Sequence, residues 1–216
     1  MPKRLGYRGL RRTANRDALM EAAEELFGLH GFSEVSIDEI TARAGVAKGT
    51  FYNHFVDKSD IANAIALSIR EETRQKISVA KSISNDPAQH LAIAMSSFLR
   101  MAIDQPNKAR ILATLLKNPT LPDAPMNVPV IQTIERGVSS GRFVTSSEQS
   151  SYVFVMAVVS GGILHFLNSV NADFELQSMS MIIQTLMAFG LTHETATAVA
   201  KSRDVTGILT REQPTA

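Results

Sequence analysis

The apolar positions of this chain recur at three- and four-residue intervals for most of its length, which predicts helices and suggests no parallel sheet. Leu19, Ala22, Ala23, Leu26 and Phe27 line one face of a helix from about Asn15 to His30, stopped by Gly31, with Glu21, Glu24 and Glu25 on the other side. Ile37, Ile40 and Ala44 share a face in a second, shorter helix, and a third spans about Ala47 to Asn53. A long helix opens at Asp57 and carries Ile61, Ile65, Ile69 and Ile77 towards about Ser82. Asp86 and Pro87 cap the next, which presents Leu91, Met95, Phe98, Leu99 and Ala102, and Pro106 restarts the pattern with Ile111, Leu112, Leu115 and Leu116. Pro119, Pro122, Pro125 and Pro129 mark an irregular segment, read either as a plain connector or as the border of a ligand entrance. Val130, Ile131, Ile134 and Val138 resume a helix that ends at Gly141, and Ser146 or Ser147 caps the one after it.

That next segment, Tyr152 to Leu167, is the apolar maximum of the chain, yet it is shorter than the ~20 residues of a membrane span and contains Ser160, Gly161, Gly162 and His165. A buried helix is predicted, with the paired glycines admitting another backbone, as in a dimer contact. Asp173 caps a further helix bearing Leu176, Met179, Ile183, Leu186 and Met187 up to Gly190, and a short helix covers His193 to about Lys201. Two such helices from each subunit would build a four-helix dimer interface. The remainder is expected to be a frayed tail.

The stretch from Ser36 to Lys58 carries the most specific local signals. Ser36 and Glu39 form a capping box, Val35 and Ile40 a hydrophobic staple, and Gly45 supplies the left-handed backbone of a sharp turn that Val46 can plug. The helix after the turn is too short to stand alone, so its neighbours must hold it, and it is free to present side chains to a major groove.

Charge adds a direction to this picture. The formal net charge is only +1, but Lys3, Arg4, Arg8, Arg11, Arg12 and Arg16 all precede the first acidic residue, Asp17. Residues 1–12 are read as a flexible basic arm, either solvated or following phosphates and entering a minor groove. The absence of cysteine removes disulfides, thiolate zinc sites and cysteine nucleophiles, and it fits a reducing cytoplasm. The basic start lacks a following apolar run, which argues against a secretory signal.

No catalytic constellation emerges. His30, His54, His90, His165 and His193 are widely separated, and neither H-E-x-x-H, G-x-S-x-G nor a phosphate-cradling glycine loop occurs. His165 and its neighbouring methionines could hold a metal or haem, but a lone histidine in an apolar helix is more often a hydrogen-bonded core residue. No metal, cofactor or enzymatic activity is expected.

The run LFGLHGFSEVSIDEITARAGVAKGTFYNHFVDKSDI resembles the N-terminal domain of the TetR (tetracycline repressor-like) family of bacterial transcriptional regulators, over roughly residues 13 to 62. Phe27, Gly31 and Phe32, the corner Ala44 to Val46, and the run K-G-T-F-Y-x-H-F carry the likeness. The resemblance implies an all-α homodimer whose small domains bind a palindromic operator in double-stranded DNA, while a larger helical domain binds an inducer and dimerises. It implies phosphate contacts at Ser36 and Arg43, and a groove-facing surface of Lys48, Gly49, Thr50, Tyr52, Asn53 and His54, with Lys58 near the backbone. Lysine and helix N-terminal N–H groups suit phosphate, and threonine and asparagine suit base edges. His54 can alternatively serve a structural hydrogen bond. Phe51 and Phe55 are assigned to the core. Family members commonly carry serine or threonine where this chain has Ala47, so the recognition helix is expected to lack its cap.

The division expected is an arm at 1–12, a helix-turn-helix DNA-binding domain at 13–60, a helical ligand-binding and dimerisation domain at 61–202, and a tail at 203–216. Met95, Phe98, Met101, Leu112, Leu116, Phe154 and His165 are the candidate lining of a site for a small, largely apolar effector, with ordinary core as the alternative for each. The function expected is ligand-released repression. A constitutive regulator or activator without an effector, and a helical dimer acting through protein contacts, are the alternatives.

Overall fold

A computed structural model of the chain describes residues 7–81, 84–116, 128–169 and 173–210. Among the described residues there are eleven helices and no strand: α1 (Tyr7–His30), α2 (Ile37–Arg43), α3 (Lys48–Tyr52), α4 (Lys58–Lys81), α5 (Pro87–Asp104), α6 (Pro106–Leu116), α7 (Val128–Ser139), α8 (Glu148–Asn168), α9 (Phe174–Ala188), α10 (His193–Ala200) and α11 (Arg203–Thr210).

Helix starts are set by side chains that accept from the orphan N–H groups of each first turn. Asp86 accepts from Ala88 N–H with Pro87 in the first turn of α5, Ser147 accepts from Ser150 in α8, Asp173 from Leu176 in α9, and Thr192 from Thr195 in α10. At α4, Asp57 Oδ1 accepts from Asp60 N–H while Asp60 Oδ2 accepts from Val56 N–H.

The N-terminal unit buries Leu19, Ala23 and Phe27 of α1 against Val35, Ile40, Phe51 and Phe55. α4 adds Ile61, Ile65 and Ile69, all buried, and carries this core into the larger unit. There α5 is the central helix, packed against α4, α6, α7, α8, α9, α10 and α11, with Leu91, Ile93, Met95 and Leu99 fully enclosed. The two units also meet where α1 crosses α6: a Cβ on Gly28 would run into the Asn107 side chain, and Arg110 Nη1 donates to Gly28 O at 3.4 Å.

Three expectations change. α1 begins at Tyr7 rather than near Asn15, so residues 7–12 extend a helix instead of belonging to a flexible arm. Residues 1–6 of that arm lie outside the described residues, as do Pro119, Pro122 and Pro125 and the last six positions. The tail expected from 203 forms α11 instead, because Val205 and Leu209 fall on one face and are buried. Gln89 Nε2 donates to Asp204 Oδ2 at 2.6 Å, and Arg100 Nη1 to Leu209 O at 2.8 Å, fixing that helix to α5. The paired glycines of α8 have different surroundings: a Cβ on Gly162 would meet Leu99 Cδ2 at 2.5 Å, within the protomer, whereas Gly161 faces open space.

α8 is long and apolar enough by composition to cross a membrane. In the fold it packs against α5, α6, α7 and α9 with Tyr152, Val155, Ile163 and Phe166 turned inward.

Candidate nucleic-acid interface

The α2–turn–α3 corner is built by short-range bonds that the sequence encodes. Ser36 N–H donates to Glu39 Oε2 at 2.8 Å and Glu39 N–H donates to Ser36 Oγ at 3.2 Å, closing the capping box. The bonds from the Ser36 hydroxyl and N–H hold the Glu39 carboxyl below the usual carboxylate range. Gly45 has φ of 67°, a conformation costly for any residue with a Cβ, and Val46 N–H closes the turn onto Thr41 O at 3.0 Å.

α3 has five residues, too few to persist in isolation, and its N-cap Ala47 makes no side-chain bond, as expected. Phe51 holds it in place: its ring is fully buried, 5.7 Å from the ring of Phe55, which is buried as well. With Phe51 inward, Lys48, Gly49, Tyr52 and Asn53 are exposed, Thr50 and His54 are half-buried, and nothing lies within 4 Å of a Cβ position on Gly49. A surface with an open glycine backbone, a phenol, an amide and a hydroxyl can lie close against base edges.

The cations of this surface are already engaged. Arg43 forks onto Glu25, with Nε at 2.9 Å and Nη2 at 2.6 Å from carboxylate oxygens, although the helical pattern put Glu25 on the side of α1 away from this corner. Lys48 Nζ pairs with Asp38 Oδ1 at 2.7 Å, which pushes its ammonium above the usual lysine value. Exposed ion pairs of this kind contribute little and exchange readily for a phosphate. Lys58 is different. It is half-buried, its Nζ donates to Val35 O at 2.8 Å and Ser33 O at 3.3 Å, and it sits 4.6 Å from the centroid of the Phe32 ring. That geometry gives the ammonium two backbone carbonyl partners and braces the loop before α2. His54 is pushed below the ordinary histidine value by burial and by the charges of Arg12 and Arg16, so it is predominantly neutral at pH 7.

Sequence reasoning missed Asp38 and Glu25 as ion-pair partners. Each pair joins two helices, and no spacing rule reports the angle between them.

The candidate effector residues separate into two groups. Met95, Met101 and Leu112 are buried on α5 and α6, Phe98 is half-buried, and the side chain of Leu116 lies outside the described residues. Phe154 is 42% exposed, and His165 is exposed with Nε2 2.6 Å from Gln177 Oε1. The two are eleven positions apart on α8, three helical turns, and so share one outward stripe with Ala157 and Gly161 rather than facing Met95. His165 is therefore hydrogen-bonded but is not a core residue.

Residues 19–65 match the family model described as bacterial regulatory proteins, tetR family. That match spans the end of α1, all of α2 and α3 and the start of α4, so the helix-turn-helix unit is what is similar to that family. The HTH-type transcriptional regulator LmrA of Bacillus subtilis is 32% identical over 76 residues, 35% of this chain and 40% of that protein. The chain spans less than half the length of the curated relatives it matches. Solved structures share the helical fold over most of the chain. RolR in complex with resorcinol superposes with a TM-score of 0.67 at 21% identity, covering 89% of this chain and 95% of that one. A TetR family transcription regulator from Marinobacter aquaeolei VT8 gives a TM-score of 0.63 at 17% identity, covering 83% and 97%.

Proposed function

We propose that the chain is a transcriptional repressor that binds a palindromic operator as a cytoplasmic homodimer and is released by a small, largely apolar effector. The observation that carries the DNA reading is α3, a five-residue helix anchored by buried Phe51 with Gly49, Tyr52 and Asn53 turned to solvent. Ser36, Arg43 and Lys48 flank it as phosphate contacts, and Thr50, Tyr52 and Asn53 read base edges. Arg43 and Lys48 exchange Glu25 and Asp38 for phosphate on binding. His54 serves as a neutral donor, and Lys58 supports the fold of the site.

The domain division that fits this reading places DNA binding in residues 13–60, preceded by the helical extension from Tyr7, and effector binding and dimerisation from 61 to the end of α11. Homodimer formation draws on the outward stripe of α8 and the exposed Leu176 and Met187 of α9, an apolar face of the kind a second copy covers. Effector release draws on the fold shared with a resorcinol-bound protein, with Met95, Phe98, Met101, Leu112 and Leu116 of α5 and α6 as the lining. Phe154 and His165 are reassigned to the dimer face.

A constitutive regulator is the second reading, and the enclosure of Met95 and Leu112 in a continuous core favours it. Titrating phenols and fatty acyl compounds into a protein–operator complex, followed by fluorescence anisotropy, separates the two. Release by at least one class supports repression under effector control, and retention against all of them supports the constitutive form.

A further inference from the structure

The helical extension of α1 changes where the basic residues of the N-terminus stand. Arg12 and Arg16 are four residues apart in an unbroken helix and so share one face. Arg16 fixes this face against the recognition unit: its guanidinium carbon lies 5.3 Å from the centroid of the Phe55 ring, just beyond the end of α3, and Nη1 is 3.0 Å from Met20 Sδ. Arg12 is exposed one turn further out, and the field of both arginines reaches His54.

The helix-turn-helix itself offers few uncommitted cations. Arg43 is held by Glu25, Lys48 by Asp38, and Lys58 by two backbone carbonyls. Among the described residues no carboxylate lies within ion-pair distance of Arg11 or Arg12. The free positive charge near the recognition helix therefore comes from α1, on a rigid helix whose direction is fixed.

We propose that the N-terminal half of α1, through Arg12 and Arg16, forms a second phosphate-binding element that grips the DNA backbone beside the groove entered by α3. This rests on the DNA-binding reading above and adds a contact outside the helix-turn-helix. A rigid cationic face loses less freedom on binding than a disordered arm does, so its contacts add affinity independent of base sequence.

The test is the salt dependence of binding to a fluorescein-labelled 30-base-pair duplex of random sequence, using the full chain, between about 50 and 200 mM KCl. Each phosphate contact contributes ~0.9 to the slope of log K against log salt. Arg12→Gln is expected to lower that slope by about one, so that the wild-type advantage shrinks about threefold across the range. Arg203→Gln on α11 should leave the slope unchanged. Wild-type slope and affinity in Arg12→Gln overturn the proposal, and so does an equal loss in Arg203→Gln, which would report net charge rather than a site. Failure of the wild-type protein to bind at 50 mM overturns the DNA reading itself. As an independent readout, the His54 imidazole followed by NMR should titrate at higher pH in Arg12→Gln, and an unmoved titration would contradict the placement of Arg12.

Discussion

Ala47 sits with φ of −69° and ψ of 148°, the backbone of an N-cap, but it has no oxygen to offer the N–H groups of α3. Ala47→Ser therefore needs no backbone change to gain a cap and should add ~1 kcal/mol of stability. Chemical denaturation checks this, and DNA affinity should rise with it because α3 is otherwise held mainly by Phe51. Lys58 makes the opposite case. Lys58→Met removes two bonds to carbonyls and a contact with the Phe32 ring, so it should cost about 1–3 kcal/mol while leaving the salt slope of DNA binding unchanged. A slope reduced by about one would restore Lys58 to the phosphate contacts. His54 carries a pH signature. Its folded value lies below the 6.5 of the unfolded chain, so the unfolded state binds more protons and stability falls as pH drops below about 6.5. His54→Asn should flatten that dependence in urea titrations at pH 5.5 to 7.5. At this scale the identities of the exposed positions were readable from sequence, since Phe51 and Phe55 fix which side of α3 is inward. The commitments of Arg43, Lys48 and Lys58 were not readable, because their partners come from other helices and from a loop.

Among the elements, α1, α8 and α11 separate what periodicity can report from what it cannot. α11 has a clear helical spacing in Val205, Ile208 and Leu209, but its stability comes from Gln89 and Arg100 on α5, more than a hundred residues away, so it resembled a frayed end. Capping residues were legible at Ser36, Asp86, Ser147 and Asp173, whereas the Thr192 cap of α10 went unread. The glycine pair in α8 was legible as a close approach but not as two different environments. Gly161→Ala should stabilise the protomer by up to about 1 kcal/mol through helix propensity, whereas Gly162→Ala should destabilise it by roughly 1–3 kcal/mol as the new methyl meets Leu99. Thermal unfolding of the two variants decides this, and equal effects would contradict the packing of α8 on α5. The bidentate pair of Arg142 with Asp86, at 2.9 and 2.7 Å, ties the start of α5 to the loop before α8. Burial raises the Asp86 pKa, but the bonds from Arg142 and Ala88 N–H and the charges of Arg142 and His90 outweigh it and hold the group below 3.8. Its contribution is thus complete above the unfolded value and is lost as pH falls through the lower folded one.

In the whole molecule, the helix-turn-helix unit joins a larger helical body through α4 and the α1–α6 crossing. Among the described residues, the absence of strands and the order of α1 to α10 followed from the sequence, because apolar positions recur there at helical spacing. The outward face of α8 and α9 did not, since an apolar maximum looks the same whether it is buried by its own chain or by a second copy. Selection of bound duplexes from a random pool by the full-length protein, repeated with Asn53→Ala, tests the central claim that α3 reads DNA. The expected result is enrichment of an inverted repeat with half-sites ~34 Å apart or a multiple of that, and loss of about 1–3 kcal/mol of discrimination in Asn53→Ala with its fold intact. No enriched sequence from the wild-type protein, or the same repeat bound equally well by Asn53→Ala, Tyr52→Ala and Thr50→Ala, would contradict it.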